Sequence, residues 1–133
     1  MLTKIEHIAL AVADLDEAIE RYSKVWGLVV EHRETVTDQG VEEAMLRLGD
    51  TYIQLLAPLS PQTTVGRFIA RQGEGLHHIA FEVDDLVGAL ESLKAAGVRL
   101  IDKEPRSGSR GTKVAFVHPT GNGGVLTELV EQP

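Results

Sequence analysis

The sequence predicts an α+β fold: one βαβββ module used twice. Two observations carry that reading. The stretch HIALAVADLDEAIE at 7–20 returns as HIAFEVDDLVGALE at 78–91, with 8 identities in 14 gapless positions. Each copy then runs through the same series of patterns, a strand, a helix and three further strands, which is the mark of a duplicated unit. At 133 residues, with 43% apolar and 25% charged residues, the chain has the composition of one globular domain. The repeats occupy 1–57 and 76–133, and a linker at 58–75 joins them within a single domain.

The first strand of each repeat alternates. In HIALAV, His7, Ala9 and Ala11 share one face, and Ile8, Leu10 and Val12 the other. In HIAFEV the faces are His78, Ala80, Glu82 and Ile79, Phe81, Val83. The bulky face belongs against a helix, while the histidine and alanine face leaves room for something other than a side chain. A helix follows in both copies. Asp14 with Glu17 makes a capping box, Leu15, Ala18, Ile19, Tyr22 and Trp26 form an apolar stripe, and Gly27 ends it. In the second copy Asp85 caps, Leu86, Ala89, Leu90 and Leu93 form the stripe, and Gly97 stops it. Strands are expected near 28–35, 42–48 and 51–57, then 98–103, 112–118 and 124–130, with turns at LGDT and PTGNGG. A short helix is expected at 63–71 in the linker.

Composition excludes several functions. The chain has no cysteine, so disulfides and thiolate metal sites are out. A net charge of −7 opposes general affinity for nucleic acid or an anionic membrane. No run approaches the roughly 20 apolar residues that span a bilayer, and MLTKIEHIAL lacks the features of a signal peptide, so a cytoplasmic location is expected.

Aligning the last strand of each repeat, TYIQLL at 51–56 on VLTELV at 125–130, places Gln54 on Glu128. Two symmetric polar pairs result: His7 with His78, and Gln54 with Glu128. An unsatisfied polar group among Ile, Leu and Val costs about 1–3 kcal/mol, so four of them need partners. Two imidazoles, a carboxylate and an amide oxygen suit a divalent first-row cation, with nitrogen and oxygen donors only. A lone strand histidine is commonly a satisfied core residue, but the symmetry of His7 and His78 points to ligation.

His77 faces away from His78 and aligns with Glu6, so its expected role is structural or that of a neighbour of the site. His32 and His118, near strand ends, receive none. In GVEEAML, Glu43 shares a face with Val41 and Met45, while Glu42 falls at a solvated strand start. An exposed strand glutamate is the plain reading of Glu43. A carboxylate looking into the metal cavity, its pKa raised by partial desolvation and fit for general-base work, is the functional one.

These residues carry a resemblance. The duplicated module with a metal in its cavity resembles the vicinal oxygen chelate superfamily, and within it the methylmalonyl-CoA epimerases. The carrying phrases are HIALAVADLDEAI, QGVEE, LLAPL at 55–59, GLHHIAFEVDDL, FVHP at 116–119 and GGVLTELV at 123–130. The resemblance implies that the two βαβββ modules form a cupped mixed sheet, with metal ligands at His7, Gln54, His78 and Glu128. It puts acid/base groups at Glu43 and Glu128, the second role falling to Glu128 or to a metal-bound water. It further implies a divalent ion (cobalt, with manganese, nickel, zinc or iron as alternatives), methylmalonyl-CoA as the small-molecule substrate, and a homodimer.

The implied reaction interconverts (R)- and (S)-methylmalonyl-CoA through a metal-stabilised enolate. Lys103, Arg106, Arg110 and Lys113 in loop 103–113 are candidates for coenzyme A phosphates. The alternatives are a glyoxalase-type isomerase of a glutathione hemithioacetal and a metal-free drug-sequestering resistance protein. A dioxygenase would leave Gln54 without purpose.

Overall fold

The computed structural model describes residues 1–133. Eight strands and three helices follow in order: β1 Leu2–Ala11, α1 Leu15–Trp26, β2 Val30–Val36, β3 Val41–Leu48, β4 Thr51–Pro58, α2 Thr64–Gln72, β5 Gly75–Val83, α3 Leu86–Ala95, β6 Arg106–Ser107, β7 Lys113–Val117 and β8 Thr127–Glu131. No helix is long and apolar enough to cross a membrane. The chain divides into two compact units, a first of His7–His77 and a second of Met1–Glu6 with His78–Pro133. The cut falls directly before His7 and directly before His78, the same position in both repeats.

In the first unit the strands run β2-β3-β4-β1, antiparallel except for parallel β1 and β4. The second unit repeats this as β6-β7-β8-β5, with β5 and β8 parallel. Each bulky strand face receives its helix. Val12, Leu15, Ala18, Ala44, Leu46, Leu55 and Ala57 form one core, and Val83, Leu86, Ala89, Leu90, Ala115, Val117 and Leu129 its counterpart.

Both helices start as the sequence predicts. The Glu17 N–H donates to the Asp14 carboxylate, and the Gly88 N–H to that of Asp85. Such caps are worth about 0.5–2 kcal/mol each. Gly27 ends α1 at φ 71°, a left-handed conformation that costs a residue with a Cβ about 1–2 kcal/mol.

Three expectations are corrected. Trp26 leaves the apolar stripe and stands 67% exposed. The Gly27 turn redirects the chain, and Leu28 and Val30 pack against the core instead. The strand at 98–103 does not form; Leu100 makes a single bridge to Val117, and β6 is two residues further on. The reason is local. The Ile101 and Asp102 N–H groups both donate to the Phe116 carbonyl, and the Asp102 carboxylate takes the Phe116 N–H, a bond a partner strand would otherwise make.

Finally, the alanine face of β1 is not open along its length. Ala9 and Ala11 lie with Val36, Val41, Leu56 and Val65 in a second core, with Phe68 and Ile69 of α2 against it. The linker helix therefore belongs to the first unit. Thr63 caps it, accepting from the Gly66 N–H, and Gly66 lies so close to the Ser60 and Pro61 backbone that a Cβ would collide with it.

Candidate functional site

Register places the site residues. In the first unit Ala9 pairs with Gln54, so Gln54 shares the face of His7 and Ala9. Gln54 in turn pairs with Met45, which puts Glu43 and Met45 on that face, and Glu43 pairs with Glu34 of β2. In the second unit Ala80 pairs with Glu128, and Glu128 with Phe116, so His78, Glu128 and Phe116 share a face. Alternation and strand order thus generate one histidine and one oxygen donor on the same face of each unit.

All five predicted residues are buried: His7, Gln54 and Glu43 in the first unit, His78 and Glu128 in the second. Glu43, at 1% exposure, is not the exposed strand glutamate of the plain reading. Its carboxylate accepts a hydrogen bond from the Gln54 side-chain nitrogen. The Gln54 oxygen is buried and has no hydrogen-bond partner. In the second unit the His78 Nε2 and a Glu128 carboxylate oxygen lie 3.7 Å apart, close enough to bind one ion, and the His78 ring packs edge-on against Phe116 at 5.2 Å.

The remaining titratable residues sort as expected, with two additions. Glu42 is a solvated partner of Arg33, whose guanidinium also meets Asp16; the bond to Glu42, then that to Asp16, raises the Arg33 pKa. His77 packs edge-on against Phe68 of α2, a structural role. His118 accepts from the Thr120 N–H and starts the turn before β8.

The first addition is His32, whose Nε2 lies 2.6 Å from Glu34 beside Glu43, a grouping with metal-binding spacing. Its signal was present: His32, Glu34 and Glu43 fall on one face once β2 and β3 are paired. The second is Glu6, fully buried and bonded by Arg110 at 2.7 Å and by Gln132, which also donates to Glu82. Arg110 is therefore committed to Glu6 and Arg106 lies 3.6 Å from Asp102, so loop 103–113 is not the free basic patch its composition suggests.

The donor set fits a divalent cation on chemistry this structure displays. Imidazole nitrogens and carboxylate or amide oxygens suit such an ion. A buried carbonyl oxygen with no donor is costly unless something positive completes it.

A profile of the family described as "Glyoxalase/Bleomycin resistance protein/Dioxygenase superfamily" matches residues 6–116. The ethylmalonyl-CoA/methylmalonyl-CoA epimerase of Cereibacter sphaeroides is 36% identical over 131 residues, spanning 97% of this chain and 98% of that one. The chain belongs to this superfamily, among its methylmalonyl-CoA epimerases. The mitochondrial epimerase of Dictyostelium discoideum is 36% identical over 97% of this chain and 78% of its own. A methylmalonyl-CoA epimerase solved in complex with methylmalonyl-CoA and NH4+ is 43% identical, with a TM-score of 0.97, over 99% of this chain and 96% of that one. The α+β class and the doubled βαβββ order are those of this epimerase family.

Proposed function

We propose that this protein is a metal-dependent epimerase interconverting (R)- and (S)-methylmalonyl-CoA. The observation that carries the substrate is the likeness, across 99% of the chain, to an epimerase solved with methylmalonyl-CoA bound. The residues support the chemistry independently. His7, Gln54, His78 and Glu128 are the proposed metal ligands, with cobalt favoured over manganese, nickel, zinc or iron.

The reaction removes a proton from a carbon between a thioester and a carboxylate. The carboxylate is the obstacle, because its charge opposes a second negative charge beside it. A divalent ion held by these residues would supply Lewis-acid stabilisation of the negative charge that develops on the substrate. Glu43 takes the α-proton at one carboxylate oxygen. Its burial, at 1% exposure, sets the carboxylate away from bulk water.

Inversion needs a proton returned to the opposite face of the carbon, which one carboxylate cannot readily reach. We assign that second role to Glu128. Each acid/base group contributes about 10²–10⁴-fold. A cytoplasmic location and a homodimer complete the reading; the exposed apolar side chains Val25, Trp26 and Val29 on the first unit support the dimer.

The test is exchange of the α-hydrogen of methylmalonyl-CoA in deuterated water. Exchange is expected with the metal-loaded protein, lost on chelation and restored by cobalt. Glu43→Gln should lower it by about 10²-fold or more while metal binding survives. No exchange with any metal would overturn the reading and return the hemithioacetal isomerase and the drug-sequestering protein to consideration.

A further inference from the structure

The two repeats supply matching histidines but different oxygen donors, an amide at Gln54 and a carboxylate at Glu128. Simple duplication would give the same residue twice. The difference has a physical cause in the neighbour each donor meets. In the first unit Met45 pairs with Gln54 and Glu43 with Leu56; in the second Phe116 pairs with Glu128 and Val114 with Val130. Val114 therefore holds in β7 the place that Glu43 holds in β3. Glu128 has an apolar side chain at the diagonal position, whereas Gln54 has a buried carboxylate.

We infer that Gln54 and Glu43 position one another: the amide nitrogen fixes the base, and the base fixes the amide so that its oxygen serves the metal. This rests on the metal-dependent reading above and adds to it a coupling between ligand and base.

The argument follows from donor and acceptor chemistry. The Gln54 nitrogen donates to a Glu43 carboxylate oxygen, and the Gln54 oxygen is left buried with no donor. Turning the amide over would set oxygen against oxygen at hydrogen-bonding distance in a buried site, since a carbonyl and a carboxylate both only accept. Glu43 therefore permits one orientation of the amide.

A glutamate at 54 would still offer an oxygen to a metal, but could not donate to Glu43. It would place two carboxylates in contact away from water, where like charges cannot both persist without a shared proton. Gln54 is accordingly a ligand to the metal and a positioning residue for the base.

Titration of metal-stripped protein with Co2+ by calorimetry tests this without using turnover. Glu43→Gln retains an acceptor for the Gln54 nitrogen, and Glu43→Met keeps the length without one. Loss of a group that orients a metal ligand typically costs 10–100-fold in affinity, so Glu43→Met should bind Co2+ about tenfold or more weakly, and Glu43→Gln within about twofold of the wild type.

A second variant reads the other direction. Gln54→Glu should still bind one Co2+ while kcat falls about 10-fold or more with KM unchanged, because the base is disturbed and the ligand oxygen kept. Wild-type affinity in Glu43→Met, or wild-type kcat in Gln54→Glu, would overturn the coupling alone. A wild-type protein that takes up no Co2+ would overturn the metal reading and this inference with it.

Discussion

The two halves share a frame and differ in what they place on the face that carries the histidine. The helix-side cores match at most of their positions: Val12 with Val83, Leu15 with Leu86, Ala18 with Ala89, Ala44 with Ala115 and Leu46 with Val117. The opposite faces do not. The first unit lays α2 over Ala9, Ala11, Val41 and Leu56 and keeps a buried carboxylate, Glu43, hydrogen-bonded to Gln54. The second has a small cluster of Ala80, Val114 and Val130, and its additional buried carboxylate, Glu6, is held by Arg110.

The difference teaches which positions were free to diverge. Packing a helix on a sheet constrains volume at each contact, so those positions stay alike. A face that carries polar groups is constrained only by each donor finding its partner, which several arrangements satisfy.

Four sets of substitutions test this comparison. The largest effect is expected from the histidine pair. His78→Ala should abolish stoichiometric metal binding, and His77→Ala, which loses the edge-on contact with Phe68, should leave it intact. Metal analysis of the purified variants checks both. Equal losses would mean that strand alternation does not separate the two residues.

Next is Arg110→Met. It removes the Arg110 guanidinium from the buried Glu6 carboxylate, and removing one partner of a buried pair costs about 3–5 kcal/mol. Urea denaturation should show the loss, and the double variant Glu6→Leu with Arg110→Met should recover most of it. Without recovery, the cost lies in the loop and not in the stranded charge.

Gly66→Ala tests the element that the second half lacks. A Cβ there meets the backbone of Ser60 and Pro61, which cannot swing aside as a side chain would, so α2 must shift at a cost of about 1–3 kcal/mol. Thermal unfolding should register it. The smallest effects are at the caps. Asp14→Ala and Asp85→Ala should each cost about 0.5–2 kcal/mol, and by similar amounts, because in both halves the carboxylate takes the N–H three residues on. Unequal losses would show that the helices have diverged as the opposite faces have.

Much of this was legible without coordinates, for reasons that differ by residue. The pairing of His7 with His78 and of Gln54 with Glu128 needed only the repeat, since equivalent residues in a duplicated unit occupy equivalent places. The caps at Asp14 and Asp85 and the stop at Gly27 are local chemistry, set within four residues. Trp26 was misread because periodicity alone does not report where a helix ends relative to its core. The strand at 98–103 was misread because β-propensity says nothing of a competing side chain, and Asp102 claims the Phe116 N–H that a strand would have used.

The sequence by itself determined the order of elements, the duplication, and the residues that each repeat sets on its histidine face. Those follow from periods of 2 and 3.6 residues and from equivalence between copies, and both are written along the chain. Only the tertiary structure decided that α2 covers the alanines of β1, that Arg110 turns to Glu6 rather than outward, and that the Gln54 amide meets Glu43. Such contacts join residues 11 to 104 positions apart, and no local period encodes which buried donor will find which acceptor.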